Sequence, residues 1–524
     1  MQLRPVIASV GLLAGALVAL SGPTAQAASV RYEAESSPAV CTGTIDSDWA
    51  GYSGSGFCNG TNATGAYAQF TVNAPAAGTA TLRIRFANGT ATARPADVVV
   101  NGSTVTSASF EGTGAWSTWA TKTLTVSLGS GSNTIRLNPT TSAGLANIDH
   151  LEVETGGTTP PPSGNALYVA PNGTDSAAGT ESSPTTLTSA ITRVAAGGTI
   201  YMRGGTYPYA QTVTIAQGNN GTSGARKTLA AYPGETPVLN FSAQSENSAN
   251  RGLAVNGSYW HVKGIVVERA GDNGIFVGGS NNIFERTVTR FNRDTGLQLS
   301  RMASSTPKDQ WPSNNLILSA ESHDNADSDG EDADGFAAKL TSGPGNVFRY
   351  AVAHNNIDDG WDLYTKSDTG AIGPVTIEDS LAHDNGTLSD GSQAGNGDRN
   401  GYKLGGEDIE VDHVIRRSIA YKNGKHGFTY NSNPGTMTVS DNVSIDNTQR
   451  NFNFDGGTSV FRNNTSCRSG SGTNDRVIGD ADSSNQFWSG SNGSRCSSYT
   501  GAMKWSFAAD GRLVVTFGGS QVAP

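Results

Sequence analysis

The sequence predicts an all-β protein in which a β-sandwich precedes a parallel β-helix. Gly accounts for 66 of 524 residues and charged residues for only 15%, against about 7% and about 25% in ordinary soluble domains. That bias suits many short strands joined by tight turns. Apolar and polar residues alternate in the first third of the chain, and the remainder carries an internal repeat, which is the signature of stacked structural units.

The same composition excludes several other classes of protein. Hydrophobic residues make up 36% of the chain, which is low for a helical bundle, whereas 8 Trp, 15 Tyr and 17 Phe can build a core and argue against disorder. The formal net charge is −10 and no Lys/Arg-rich run occurs. We therefore expect no nucleic-acid or membrane partner, and we expect a monomer.

Residues 1–27 have the features of a secretory signal peptide. Arg4 precedes an apolar run from Val6 to Leu20, and Ala25-Gln26-Ala27 forms a small-residue cleavage site. The run is too short for a membrane-spanning helix. We expect a secreted, extracellular protein whose mature form begins near Ala28.

Four cysteines fit an oxidising compartment. Cys41 and Cys58 lie near the start of the chain, and Cys467 and Cys496 lie near its end. Four cysteines allow three pairings, and proximity favours Cys41–Cys58 with Cys467–Cys496. No C-x-x-C motif occurs, which argues against zinc or redox chemistry.

A Gly/Thr/Pro-rich stretch at 156–165 is typical of a linker between folded units. It divides the chain into 28–155 and 166–524. The first unit alternates clearly in Thr81–Phe86 and Lys122–Val126, with turn signals such as Asn88-Gly89 between such runs. A β-sandwich is the natural solution for this pattern.

Three motifs of the first unit resemble carbohydrate-binding module families 35 and 6. They are Tyr32-Glu33-Ala34-Glu35, Trp116-Ser117-Thr118-Trp119 and the closing run Asn147–Val153. The resemblance implies a structural calcium held by Glu33, Glu35 and Asp149, and sugar contacts at Trp116 and Asn147. The alternative is that Trp116 or Trp119 only fills the core.

The second unit repeats the form Gly-Φ-x-Φ, where Φ is apolar or aromatic. The glycines of the six copies are Gly274, Gly296, Gly335, Gly360, Gly401 and Gly427. Their spacings of 22, 39, 25, 41 and 26 residues indicate single β-helix coils, some of them with insertions. An asparagine precedes each copy from Gly296 onward, and a sixth begins a further copy. Stacked asparagines can form a hydrogen-bonded ladder. The asparagines are Asn292, Asn325, Asn356, Asn385, Asn423 and Asn447.

Flanking segments complete the predicted β-helix. Runs such as Val347–Val352 and Val414–Ile419 predict a strand before each asparagine. A helical stretch at Thr188–Ala195 predicts a cap over the first coil.

The repeat predicts which side chains share the outer face. In Gly-Φ-x-Φ the two Φ residues point inward and x points outward. Coils stack about 4.8 Å apart, so Asp362 and Lys403, both at the x position, become neighbours. Asp334 and Asp359 precede their glycines and form a second pair, with Asp358 alongside. We expect the Lys403 side chain to point outward and to pack against nothing.

Four carboxylates on one patch repel each other unless a cation joins them. The four are Asp334, Asp358, Asp359 and Asp362. Their oxygen ligands and the expected extracellular location favour calcium. The alternative is that these residues only serve β-helix turns, and Glu331 and Asp332 are nearby alternative ligands.

The same region resembles polysaccharide lyase family 9, the calcium-dependent pectate lyases. The matching runs are Asp332–Lys339, Asn355–Asp362 and Asn400–Gly406. The resemblance implies a right-handed parallel β-helix catalytic domain over 166–524. It also implies that Asp334, Asp358, Asp359 and Asp362 bind calcium and that Lys403 is the base. We expect the inserted stretch 386–400 to border the groove and to differ from relatives, which leaves the preferred substrate length open.

The activity implied is β-elimination on polygalacturonate or pectin in plant cell-wall polysaccharide. Calcium would acidify the C5 proton, neutral Lys403 would remove it, and the C4–O bond would break. Lys339 and Lys366 either pair with further uronates or are merely solvated.

Two other functions stay open at this point. A polygalacturonase-type glycoside hydrolase would need an acid and a base but no metal, and it would leave the outward lysine without a role. A non-catalytic polysaccharide-binding adhesin is the other alternative, since a fold does not fix a function. Another uronate polymer, such as alginate or rhamnogalacturonan, could also be the lyase substrate.

Overall fold

The computed structural model describes residues 30–74, 78–129, 131–155 and 165–522. The predicted signal peptide and residues 156–164 of the predicted linker lie outside these ranges. The described part of 30–155 forms two antiparallel sheets that enclose an apolar core of alternating side chains. This is the predicted β-sandwich.

In one sheet of the sandwich, neighbouring strands follow the order 43–46, 57–60, 147–155, 78–87 and 120–128. Strand 30–33 also pairs with strand 147–155. Its strands are Val30–Glu33, Gly43–Asp46, Phe57–Gly60, Gly78–Ala87, Ala120–Leu128 and Asn147–Thr155. The strands of the other sheet are Val40–Cys41, Ala68–Ala74, Arg94–Val100, Ser103–Phe110 and Gly131–Pro139. The predicted Cys41–Cys58 disulfide is present and joins the two sheets.

Residues 165–522 contain a right-handed parallel β-helix whose coils each add one strand to three long sheets. We call the sheet that carries the Gly-Φ-x-Φ strands the groove sheet. Its strands are Val213–Ile215, Leu253–Val255, Ile275–Val277, Leu297–Leu299, Phe336–Ala338, Trp361–Asp362, Tyr402–Lys403, Phe428–Thr429, Phe452–Phe454 and Arg476–Val477. The sheet therefore extends beyond the six predicted copies in both directions.

The two other sheets are named the first and second side sheets. The first comprises Ala166–Val169, Thr199–Met202, Lys227–Ala231, Trp260–Lys263, Ile283–Glu285, Leu316–Leu318, Asn346–Arg349, Val375–Glu378, Val414–Arg416, Thr438–Ser440, Val460–Arg462 and Asp480–Ala481. The second comprises Gly205–Pro208, Pro237–Asn240, Val266–Glu268, Val288–Arg290, Glu321–His323, Val352–His354, Leu381–His383, Ile419–Tyr421, Val443–Ile445 and Thr465–Cys467.

The single strands predicted at Val347–Val352 and Val414–Ile419 are wrong, because each run contributes to two sheets. Tyr350 (φ 55°) and Arg417 (φ 47°) lie between the two strands of their coils. A residue in the left-handed backbone conformation turns the chain from the first side sheet to the second. Neither turn contains Gly or Pro, so the sequence carried no signal for it.

Two columns of side chains stabilise the stacked coils. Inside the helix, the rings of Trp361, Tyr402 and Phe428 stack with centroids 4.8 and 4.6 Å apart, close to the spacing of neighbouring strands. The predicted asparagine ladder is confirmed between 292 and 447, with each Nδ2 donating to the next Oδ1 over 2.8–2.9 Å. Buried amides that satisfy one another in this way fix the register of the coils.

Additional elements pack against the start and against one side of the β-helix. The predicted N-terminal cap helix is Leu187–Arg193, and it buries Leu187, Ala190 and Ile191 against the central core. The remaining elements are the short 3₁₀ segments Lys308–Gln310 and Ser494–Ser498 and a small antiparallel sheet, Met503–Phe507, Leu513–Phe517 and Ser520–Val522. That sheet, which the sequence did not predict, packs on the second side sheet, near the predicted Cys467–Cys496 disulfide.

Candidate active site

The groove sheet positions the predicted site residues through its register. Asp362 and Lys403 are paired on adjacent strands, and their side chains lie outside the apolar core that contains the neighbouring Trp361 and Tyr402. The inward and outward alternation predicted for Gly-Φ-x-Φ is therefore present. Gly335 and Gly360 sit between tightly stacked coils, where a Cβ atom would come within 2.8 Å of a carbonyl oxygen of the next coil.

Three of the predicted carboxylates form one buried cluster. Oxygen atoms of Asp334, Asp358 and Asp359 lie within 4.8 Å of one another. Backbone and amide donors fix two of them: Asp358 Oδ1 accepts from the Arg399 amide at 3.1 Å, and Asp359 Oδ1 accepts from Asn400 Nδ2 at 3.0 Å. The cluster is thus held rigidly at the bottom of the groove.

The fourth carboxylate, Asp362, lies close to two lysines that also contact the cluster. Its Oδ2 lies 3.5 Å from Lys339 Nζ and 3.7 Å from Lys403 Nζ. The alternative ligands Glu331 and Asp332 are exposed, and their amides donate to the Asp327 side chain.

The expectation that Lys403 packs against nothing is wrong. Only 8% of the residue is exposed, and its ammonium lies 3.4 Å from Asp359 Oδ2 and 3.1 Å from Asp398 Oδ2. The Tyr364 ring covers it, with its centroid 5.3 Å from Nζ. The outward direction was right, but Tyr364 and Asp398 from neighbouring segments lie against the side chain and bury it.

The two lysines left open by the sequence differ. Lys339 is 7% exposed and donates to Asp334 Oδ2 at 2.7 Å, so it is neither solvated nor free to pair with a substrate. Lys366 is exposed. A second cation thus belongs to the carboxylate cluster, and the sequence pattern gave no signal for it because Lys339 follows its strand rather than lying on it.

Asp398 is a further site residue that the sequence reasoning missed. Its carboxylate joins Lys403 (3.1 Å) to Lys425 (2.6 Å), and its amide donates to Asp358 Oδ1. It comes from the inserted stretch 386–400, which lies outside the repeated motif. The insertion therefore forms part of the site wall.

The cluster is electrostatically strained by its own charge. Burial raises the pKa of Asp334 to about 7 and that of Asp359 to about 8, and the neighbouring carboxylates add to the shift. Burial and the adjacent Asp359 raise the pKa of Asp358 as well. Carboxylates with such pKa values remain ionised at neutral pH only if an additional positive charge lies close to them.

The oxygens that face the groove fit a divalent cation. Asp362 Oδ1 is buried without a hydrogen-bond partner, and Asp359 Oδ2, also buried, has the Lys403 ammonium 3.4 Å away but accepts no hydrogen bond. This arrangement costs free energy unless another group satisfies it. All of the available donors are carboxylate oxygens, which Ca²⁺ prefers. The residues present therefore suit a calcium ion.

The sandwich contains a second acidic group. Oxygens of Glu33 and Asp149 and a ring nitrogen of His150 lie within 4.8 Å of one another, and Ser53 donates to both carboxylates. Glu35 lies alongside: its Oε1 accepts from the Ser55 amide at 2.8 Å, and its Oε2 is buried without a partner. His150 is a neighbour that the sequence reasoning did not name.

The two predicted sugar-contact residues differ in exposure. Asn147 is buried on a strand that pairs with Ala87. Trp116 is half-buried, with the Arg94 guanidinium carbon 5.1 Å from its ring centroid. Trp119, also half-buried, packs edge-on against Phe57 and donates to the Ala50 carbonyl.

Two known families match the two units of the chain. The family described as "Pel9A-like, right handed beta helix region" matches residues 167–465, and "Carbohydrate binding module (family 6)" matches residues 34–155. Within the described residues, no helix is long and apolar enough to cross a membrane.

Two relatives and one solved structure are similar to the chain. "Pectate lyase L" of Paenibacillus polymyxa is 58% identical over 325 residues, covering 62% of this chain and 72% of the relative. "Pectate lyase L" of Thermoclostridium stercorarium is 46% identical over 293 residues, covering 56% of this chain and 23% of the relative. The crystal structure of pectate lyase Pel9A superimposes with a TM-score of 0.57 at 34% identity, covering 66% of this chain and 86% of that one. The chain therefore belongs to the Pel9A-like right-handed β-helix family and is a polysaccharide lyase.

Proposed function

We propose that the chain is a secreted, calcium-dependent pectate lyase that cleaves polygalacturonate by β-elimination with Lys403 as the base. The observation that carries the proposal is the contact of Lys403 with a buried carboxylate cluster in the groove. A lysine beside a cation site is the pair of groups needed to remove a carbon-bound proton from a uronate.

Asp334, Asp358, Asp359 and Asp362 would hold the calcium ion. A calcium ion bound there supplies Lewis acidity to the uronate carboxylate, which makes the neighbouring C5 proton more acidic.

Lys403 performs the proton transfer. Its Nζ takes the proton from C5, the C5–H electron pair forms the C4=C5 double bond, and the C4–O bond breaks. The departing oxygen takes a proton from water. The products are a new reducing end and a 4,5-unsaturated uronate end.

The charge around Lys403 decides whether it can accept a proton. Burial alone would lower the pKa of Lys403, but Asp362, Asp359, Asp358 and Asp334 outweigh burial and hold that pKa far above its usual range. A protonated lysine is no base. The proposed mechanism therefore requires that positive charge compensates the carboxylates before turnover.

The sandwich is proposed to be a carbohydrate-binding module. Glu33, Glu35 and Asp149 would hold a structural calcium, with His150 adjacent to them. Trp116 and Asn147 are the proposed sugar contacts, and Trp116 supports the proposal because its ring is only half-buried. The module would direct the enzyme to plant cell-wall polysaccharide.

The function is tested by incubating the full chain with polygalacturonate, with and without calcium. Elimination creates a conjugated double bond, so ultraviolet absorbance should rise only with calcium and stop when a chelator is added. Reducing ends that appear under chelation without any ultraviolet signal would identify a hydrolase instead. Binding without depolymerisation would identify an adhesin.

A further inference from the structure

The carboxylate cluster contains a buried cation that the proposed chemistry does not use. Lys339 Nζ donates to Asp334 Oδ2 at 2.7 Å and lies 3.5 Å from Asp362 Oδ2. It thus contacts two of the four proposed metal ligands, although its coil lies two coils before that of Lys403. Taking an ammonium out of water costs free energy, so a charge buried at this position calls for a reason.

The groove sheet gives the Lys339 side chain a fixed path to the cluster. Lys339 directly follows the strand Phe336–Ala338, and the outward residue of that strand, Ala337, is the register partner of Asp362. Because alanine carries only a methyl group, the lysine side chain can run back along the strand to Asp334, which precedes it. The ammonium is therefore part of the groove floor and not a mobile surface group.

Lys339 also determines which atom of Asp334 faces a metal ion. Asp334 Oδ2 accepts from Lys339 and, at 3.0 Å, from the Thr295 hydroxyl, and these two donors occupy both lone pairs of that oxygen. Asp334 Oδ1 accepts a longer bond from the Asp359 amide, at 3.3 Å, and keeps a lone pair. Asp334 can therefore offer an ion Oδ1 but not Oδ2.

The charges in contact with the cluster balance with one divalent cation. The four carboxylates carry four negative charges when ionised, and the ammonium groups of Lys339 and Lys403 compensate two of them. Asp398 and Lys425, at the border of the site, form an ion pair and cancel each other. Two negative charges remain, which match Ca²⁺. Without Lys339 three would remain, which favours a trivalent ion, since the Coulomb energy grows with the product of the charges.

We propose that Lys339 sets the charge preference of the metal site, as a resident cation that leaves charge for a divalent ion and disfavours a trivalent one. The proposal rests on the proposed calcium-dependent function and adds a role for a residue that is not a ligand. Lys339 is a positioning residue, because it acts through Asp334 and Asp362. Its removal should favour the binding of a trivalent ion more than that of a divalent ion.

Lys339→Met is the main test, because methionine has a similar length and no charge. Tb³⁺ and Ca²⁺ affinities are measured on the full chain by calorimetry without substrate, with Glu33→Gln in every protein to disable the acidic group of the sandwich. The ratio of Tb³⁺ to Ca²⁺ affinity should rise at least about tenfold, an effect that Coulomb's law supports at an effective dielectric of about 20. Lys308→Met, at an exposed position, is the matched control and should leave the ratio unchanged.

The ratio separates a role of the charge from a purely structural role. Losing a hydrogen bond to Asp334 would weaken both ions alike and leave the ratio at its wild-type value, which would overturn the proposal. Lys339→Gln is the second variant if Lys339→Met lowers the melting temperature, because its amide can still donate to Asp334 while the charge is gone. It should raise the ratio as well, and an unchanged ratio there also overturns the proposal.

The same measurement distinguishes failure of this inference from failure of the proposed function. If wild type binds Ca²⁺ and the ratio does not change in the variants, only the role of Lys339 is wrong. If wild type binds no Ca²⁺, the calcium-dependent function and this inference are both wrong. A raised ratio supports the role of Lys339 even if polygalacturonate yields no unsaturated product.

Discussion

Asp362 Oδ2 and Lys403 Nζ lie 3.7 Å apart because their residues are register partners on adjacent strands of the groove sheet. Forty-one positions separate them in the sequence, yet parallel stacking brings them into contact. The insertion between their coils does not disturb this pairing, since the strands on either side of it keep the same register. A carboxylate and a base are thus held together by the fold itself, and this relationship leads to the first two predictions.

Lys403→Ala should lower the rate of elimination at least about a hundredfold, the usual scale for losing a general base. Lys403→Arg should be nearly as inactive, because a guanidinium stays protonated at any working pH. The measurement is the rise in ultraviolet absorbance on polygalacturonate. Lys422→Ala, on the turn after Ile419–Tyr421, is the control. If Lys403→Ala keeps more than a tenth of wild-type turnover, Lys403 is not the base.

Asp359→Asn should weaken calcium binding and activity together, because it removes one ligand charge from the cluster. Added calcium should restore part of the rate, so the calcium concentration giving half-maximal activity should rise at least about tenfold, the effect of roughly 1.4 kcal/mol. Asp309→Asn, at an exposed position, should leave it unchanged. Unchanged calcium dependence in Asp359→Asn would remove this residue from the metal site.

Asn385→Ala should destabilise the β-helix by roughly 2–4 kcal/mol, because it leaves buried groups of the asparagine ladder without partners. The Asn356 backbone amide would lose its acceptor at 3.3 Å, and Asn356 Nδ2 would lose one of its two acceptors, at 2.9 Å. Asn423 Oδ1 would lose one of its two donors within the ladder, at 2.9 Å. The free energy of unfolding in denaturant measures the effect. Asn474→Ala, at an exposed position, should change it by less than about 0.5 kcal/mol. A similarly small change in Asn385→Ala would mean that the ladder does not stabilise the fold.

His413 should make the protein sensitive to acid. Burial lowers its pKa to about 3 in the folded state, whereas the unfolded chain binds a proton near pH 6.5. Between these values only the unfolded state gains the proton, so stability falls as pH drops from about 6.5 toward 3, by up to about 1.4 kcal/mol per pH unit.

His413→Asn isolates this contribution. His413 Nδ1 accepts from the Val375 amide at 3.1 Å, and at the same turn of earlier coils Asn315 and Asn346 accept from a backbone amide through Oδ1. The variant should therefore keep the hydrogen bond and lose the titration. Melting temperatures measured from pH 7 to pH 4 should fall less steeply in the variant. Parallel curves would show that His413 is protonated in the folded state as well.

Deleting residues 28–155 should lower activity on intact plant cell walls but leave activity on soluble polygalacturonate nearly unchanged. The sandwich has its own core and its own disulfide, so we expect it to fold and bind polysaccharide alone. Trp116→Ala in the isolated sandwich should weaken that binding, measured as an isotherm. Equal losses on both substrates would mean that the sandwich contributes to the active site or to folding of the β-helix.

The sequence by itself determined the parts of this protein that repeat. Once the Gly-Φ-x-Φ copies were aligned, strand register followed, and with it the pairing of Asp362 with Lys403, the neighbouring Asp334 and Asp359, and the asparagine ladder. The physical reason is that stacked parallel strands repeat at one fixed spacing, so a position within the motif is also a position in space.

Only the tertiary structure decided what lies between the repeats. Asp398 reaches Lys403 from an insertion, Lys339 folds back onto Asp334, and His150 joins Glu33 across two strands of the sandwich. Lys403 is buried for the same reason, because Asp398 and Tyr364, which lie outside the strand of Lys403, pack against it. Loops have no period that fixes their side chains relative to a strand, so their contacts depend on packing and cannot be obtained from spacing alone.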